Sequence, residues 1–170
     1  FVISVSKNQY MTNNFQLMFG LILCFALSSL HAQKTEYVLE ENLPYYEGIV
    51  SDSYQKERCK IDLYYPKEIK DFPTIVWFHG GGLKGGKKSI PEQLKEKGMA
   101  VVAVNYRLYP KVKTPVFIED AAAAVAWTFK NIENFGGDPA KIVVSGSSAG
   151  GYLTMMVGLD KSYLATHQID

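Results

Sequence analysis

Two glycine-rich stretches place groups that could do chemistry together. The first is Gly146-Ser147-Ser148-Ala149-Gly150, a G-x-S-x-G pentapeptide between the apolar run KIVVS and an apolar helical pattern. A chain that reverses from strand to helix within so few residues forces its central serine into a strained conformation. Ser148 then projects its hydroxyl at the start of the helix, where free N–H groups favour developing negative charge. Gly146 and Gly150 lack Cβ atoms and leave room for the neighbouring strand and helix. The second stretch is His79-Gly80-Gly81-Gly82, directly after TIVWF. Consecutive glycines let backbone amides approach a substrate oxygen, and with the N–H of Ala149 they would form an oxyanion hole. One such donor typically lowers a barrier by ~3–4 kcal/mol. His79 precedes the serine and sits in this loop, where hydrogen bonding would fix the loop's shape; a role as base fits its place less well. A chance Gly/Ser turn is the plain alternative for the pentapeptide. A phosphate cradle would need G-x-x-x-x-G-K-[ST], and Gly85-Gly86-Lys87-Lys88 has the wrong spacing.

Strands and helices must hold these stretches. Residues 45–50 and 59–65 read as early strands, the second with Ile61, Leu63 and Tyr65 on one face and Lys60, Asp62 and Tyr64 on the other. Residues 74–79 and 100–105 are continuous apolar runs, expected of strands buried on both faces. Residues 89–97 (SIPEQLKEK) predict a helix with Ser89 as N-cap and Glu92 as its capping-box partner, stopped by Gly98. Residues 117–134 predict the longest helix, with Ile118, Ala121, Ala122, Val125, Ala126 and Phe129 as its apolar stripe. Gly136-Gly137-Asp138-Pro139 reads as a turn, 141–145 as the last strand and 149–159 as the last helix. The alternation implies an α/β fold: a mostly parallel sheet with right-handed crossovers and helices on both faces.

The chain has 170 residues, enough for one domain with a real core. It is 47% hydrophobic and 21% charged, which excludes intrinsic disorder. Its 18 Lys and Arg against 17 Asp and Glu leave +1, no electrostatic footprint for nucleic acid or anionic lipid. Cys24 and Cys59 cannot make a disulfide scaffold, and the sequence has no metal-ligand spacing. Residues 17–30 (LMFGLILCFALSSL) form an uncharged run too short to span ~20 helical residues of bilayer. Small residues and Ala32 follow, the pattern of a secretory signal peptide starting at Met11. A core helix and an uncleaved anchor are the alternatives. The expectation is a leader and signal peptide over 1–32, a secreted or periplasmic protein, and a partial domain over 33–170. Without the leader, Cys59 has no partner for an intramolecular disulfide.

From about Tyr45 onward the sequence resembles the α/β-hydrolase-fold esterases and lipases of the hormone-sensitive-lipase-like group, bacterial acetyl and feruloyl carbohydrate esterase domains above all. The resemblance rests on His79-Gly80-Gly81-Gly82, Val104-Asn105-Tyr106-Arg107-Leu108, Asp120, Gly136-Gly137-Asp138-Pro139 and Gly146-Ser147-Ser148-Ala149-Gly150-Gly151. It implies that Ser148 is the nucleophile and that Gly81, Gly82 and Ala149 donate to the oxyanion. Arg107, Asp120 and Asp138 would order loops and helix starts. The implied reaction hydrolyses a small-molecule or carbohydrate ester through an acyl-enzyme, with no metal or organic cofactor. No nucleic-acid partner is implied, and no membrane beyond the signal peptide; oligomeric state is left open.

In this fold the acid and the histidine follow the serine in chain order. Only 22 residues follow Ser148, among them Asp160, His167 and Asp170. A helix starting at Ala149 would carry the chain ~1.5 Å per residue away, putting Asp160 on the order of 16 Å off. The sequence therefore reads as an N-terminal fragment of an esterase, inactive alone, with acid and histidine beyond Asp170. An amide or formamide hydrolase and a non-catalytic binding module are the rival readings on the same scaffold.

Overall fold

The computed structural model describes residues 35–46, 48 and 50–169. The expected leader over 1–32 lies outside these residues. Among the described residues, no helix is long and apolar enough to cross a membrane.

One sheet runs in the order β1 (Tyr37–Pro44), β2 (Lys60–Pro66), β4 (Ala100–Val104), β3 (Phe72–Phe78), β5 (Gly137–Gly146). β4, β3 and β5 are parallel, while β1–β2 and β2–β4 pair antiparallel. β3 therefore sits between its two parallel partners, and the loops leaving β3 and β5 emerge side by side. The sequence AVVAV makes β4 buried at every position, the signature of a strand covered on both faces. On β3, Phe72, Thr74, Val76 and Phe78 are buried and alternate with the more exposed Pro73, Ile75 and Trp77. Each large apolar side chain so buried contributes ~1.5–3 kcal/mol.

α2 (Val116–Asn131) leaves the β4 end, crosses β3 and delivers the chain to β5. Its stripe falls as expected: Ile118, Ala121, Ala122, Val125 and Ala126 are buried, and Phe129 packs against the core. The chain then tightens into a 3-10 turn, Ile132–Phe135, and stops at Gly136 in the left-handed region, φ 96°. α3 (Ala149–Leu159) packs on β5, β3 and α2, and α4 (Ser162–Ala165) follows.

Three expectations need correction. Among the described residues of 45–50 no strand forms; the first strand is β1, upstream. Tyr45, buried, and Tyr46, half-buried, are held by their hydroxyls, which donate to the Asn105 carbonyl and Asp120. No helix forms over 89–97. Pro91 is extended (ψ 133°), no side chain caps the segment, and only the 3-10 turn Glu92–Leu94 appears. A residue before proline is pushed away from the helical region, and Glu96 at φ 56° ends the turn early. Finally, Gly137, Asp138 and Pro139 are not a turn but the start of β5, where Gly137 pairs with Phe72. α1 (Ser53–Arg58) was not expected at all. Asp52 caps it, its carboxylate accepting from the Tyr54 amide at 2.9 Å.

Candidate active site

The pentapeptide makes the turn that its glycines demand. β5 ends at Gly146, opposite Phe78. The Ser147 amide donates to the Phe78 carbonyl at 3.1 Å, tying the turn to the end of β3. Ser148 stands at φ 52°, ψ −112°, as the N-cap of α3. A non-glycine residue there is strained, a cost the surrounding bonds must offset. Its hydroxyl makes no capping bond, and the residue is exposed. A Cβ on Gly146 would lie 2.5 Å from the Gly150 carbonyl carbon and 2.8 Å from the Phe78 oxygen. A Cβ on Gly150 would collide with that same oxygen. Strand end and helix start therefore approach closely enough only without side chains.

The HGGG loop lies against this turn. A Cβ on Gly80 would sit 3.0 Å from the Ser147 oxygen and 3.4 Å from Ser148 Cβ. Gly81 (φ 114°) and Gly82 (φ 60°) turn the chain sharply, and the Gly81 carbonyl accepts from the Lys84 and Gly85 amides. Among the described residues, no acceptor takes up the Gly81, Gly82 or Ala149 amide.

His79 is buried below the loop, stacked on Tyr106 with ring centroids 4.5 Å apart. Its Nδ1 donates to the Gly80 carbonyl at 2.6 Å, and its Nε2 accepts from Arg58 at 3.2 Å. These partners require a neutral ring protonated at Nδ1. Burial holds its pKa below the ordinary value and the Arg58 charge adds to this, while the Gly80 carbonyl works against it. The Tyr106 hydroxyl donates to the His79 carbonyl at 2.8 Å. Both ring nitrogens are engaged, so His79 holds the loop.

Arg58 is the residue that sequence reasoning missed. At the end of α1, it donates to the Gly86 carbonyl (2.6 Å), to the Tyr106 carbonyl (3.0 Å) and to His79. Its partners lie 28, 48 and 21 residues away in the chain. No motif or periodicity joins them.

Arg107 and Asp120 form a second framework. The fully buried Asp120 accepts from the Arg107 backbone amide, from its Nε and, at 2.7 Å, from its NH2. Tyr46 donates to the same carboxylate, and Arg107 reaches Asp52 on the other side. The bonds to Asp120 hold the guanidinium well above its usual pKa. Asp138 accepts from the Ala140 amide and pairs with Lys141 at 2.9 Å. Burial, reinforced by the Asp120 charge, pushes the Cys59 thiol up to about 12, away from nucleophilic use. Asp160 closes the far end of α3 and binds Ser162. His167 lines a cavity of about 220 Å³ with Tyr45, Trp127 and Lys130. Neither is brought to Ser148. Among the described residues, no group of three or more His, Cys, Asp or Glu could hold a metal ion.

A strand-turn-helix serine beside a glycine loop, at the ends of adjacent parallel strands, defines the α/β-hydrolase fold. The BD-FAE family model matches residues 61–168, and the chain belongs to that family. It is 32% identical to carboxylesterase NlhH of Mycobacterium tuberculosis over 128 residues, covering 72% of this chain and 38% of that protein. Among solved structures it resembles a truncated carbohydrate esterase from gut microbiota, at TM-score 0.61 and 28% identity, covering 75% of this chain and 45% of that one. Esterase B of Lactobacillus rhamnosis shares the fold at TM-score 0.63 and 22% identity, over 98% of this chain and 54% of that one. The chain thus spans well under two thirds of these relatives.

Proposed function

We propose that the protein is a serine hydrolase of carboxylic esters, acting on short-chain acyl or carbohydrate esters through an acyl-enzyme. The observation that carries this is Ser148, exposed, uncapped and strained beside Gly80. Its hydroxyl oxygen attacks the ester carbonyl, and the amides of Gly81, Gly82 and Ala149 receive the developing oxyanion. The alcohol leaves, and water cleaves the acyl-serine. His79 does not serve as base, because both its nitrogens are committed to the loop. The base belongs to a residue other than Asp160 or His167. The names of NlhH and of the gut carbohydrate esterase support the ester as substrate. The apolar run over 17–30 supports export, with an extracytoplasmic ester as target.

Ser148→Ala tests the reading. In the full-length protein, hydrolysis of 4-nitrophenyl acetate should fall to background and labelling by a fluorophosphonate should vanish, with the melting temperature unchanged. Comparable turnover by the variant would overturn the assignment.

A further inference from the structure

Beside the glycine loop lies an open cavity of about 380 Å³, bounded by Gly82, Leu83, Lys84, Tyr109, Lys113 and Phe117. Two segments build it. The Tyr109 amide donates to the Leu83 carbonyl at 2.8 Å, joining the loop after β3 to the loop after β4. Phe117, in the first turn of α2, forms an apolar wall. Tyr109 is 44% exposed, its ring open to a ligand.

Two lysines border this one cavity, and no acid does. Lys67, Lys88, Lys95 and Lys141 each pair with a carboxylate. Lys84 and Lys113 have no carboxylate partner among the described residues, and no acid lines the cavity. Lys84 instead holds its ammonium 5.5 Å from the Tyr109 ring centroid. Two unpaired ammonium groups on aromatic and aliphatic walls suit a small apolar arm that ends in an anion.

Gly82 places this cavity relative to the chemistry. Because Gly82 lines the cavity and carries one of the proposed oxyanion amides, an arm of an ester held there can reach the cavity. We infer that the enzyme prefers esters in which that arm carries a carboxylate, bound by Lys84 and Lys113 over Tyr109 and Phe117. The inference rests on the ester-hydrolase reading for the ester, and on the cavity alone for the anion.

The test is calorimetric titration of the full-length protein with benzoate and with benzyl alcohol, a neutral ring of similar size. At low ionic strength benzoate should bind about ten-fold more tightly, the scale two exposed charge contacts supply. The gap should narrow with added KCl as the screening length falls from ~30 Å at 0.01 M to ~8 Å at 0.15 M. Lys84→Gln with Lys113→Gln should abolish it; both residues are exposed, so the fold survives the change. Equal affinity, no binding of either probe, or a preference that survives the double variant would each overturn the inference. The acetate assay of Ser148→Ala is read separately. If it fails while benzoate selectivity holds and depends on the lysines, the hydrolase reading falls and the anion site stands.

Discussion

Gly81 and Gly82 both have positive φ, yet they differ in what a side chain would meet. A Cβ on Gly81 would run into the Gly85 carbonyl, whereas one on Gly82 meets nothing within 4 Å. Gly82→Ala should therefore cost about 1–2 kcal/mol of stability from backbone strain alone. Gly81→Ala must also open the 81–85 turn and displace a donor, so kcat should fall ~10²–10³-fold. Thermal melts and steady-state kinetics on both variants check the contrast; a Gly81 variant altered in KM alone would mark the loop as a binding element. His79 gives a second residue-level expectation. Its folded pKa lies below the ordinary value of 6.5, so on acidification the unfolded chain takes up the proton first. Its contribution is whole above pH 6.5 and is lost as pH falls from there through the lower folded pKa. The protonated ring would present a second donor to the Arg58 guanidinium. His167 shifts in the same direction, so the measurement is the difference in denaturant stability between wild type and His79→Gln across this range. Asp52, Asp138 and Asp160 are shifted below 3.8 and act in a separate, more acid window. An unchanged pH slope in the variant would remove His79 from the loop's support.

At the level of elements, α1 reaches the glycine loop through Arg58. One guanidinium serves two carbonyls and a ring nitrogen because its donors fan out in a plane; a lysine ammonium cannot span all three. Arg58→Lys should therefore resemble Arg58→Gln, with kcat lowered about ten-fold or more by a displaced loop and KM changed less. Full rescue by lysine would show that only charge matters. Such coupling explains which parts of the molecule were legible in the sequence. Ser148, the glycines and the runs TIVWF and AVVAV announce themselves, because strain and two-sided burial restrict residue type locally. β1 was hidden because it is an edge strand whose alternation breaks at a bulge between Glu40 and Leu43, with Asn42 at φ 60°. Its neighbours Tyr45 and Tyr46 mimic a strand, yet polar bonds to Asn105 and Asp120 are what hold them. The segment 89–97 has a helix's charges and cap residue, but Pro91 overrides them. Arg58 was illegible because its partners are assembled only by the completed fold.

At the scale of the whole molecule, four of the exposed large apolar side chains among the described residues belong to β5 and α3. β5 is the last strand of the sheet, with Val143 56% exposed. α3 packs on β5 and shows Tyr152, Met155 and Leu159 to solvent. Spacings of three and four residues put these three on one helical stripe, the face opposite the buried Leu153 and Val157. An unpaired strand edge beside an apolar helix face is a template for pairing with another chain. Elsewhere the fold is well tied, since Asp120 and Arg107 join α2 to the segment after β4, and losing one partner of such a buried pair costs ~3–5 kcal/mol. Residues 35–170 expressed alone should therefore fold locally but self-associate through the β5–α3 side. Val143→Lys with Met155→Lys puts one charge on the edge strand and one at the centre of the helical stripe, away from the core. Light scattering coupled to size-exclusion chromatography should show the unsubstituted chain as oligomers and the double variant shifted towards monomer. Asp120→Asn gives the contrasting failure, loss of cooperative melting without relief of association. A monomeric unsubstituted chain, or oligomers indifferent to both lysines, would mean that this side is not the adhesive surface.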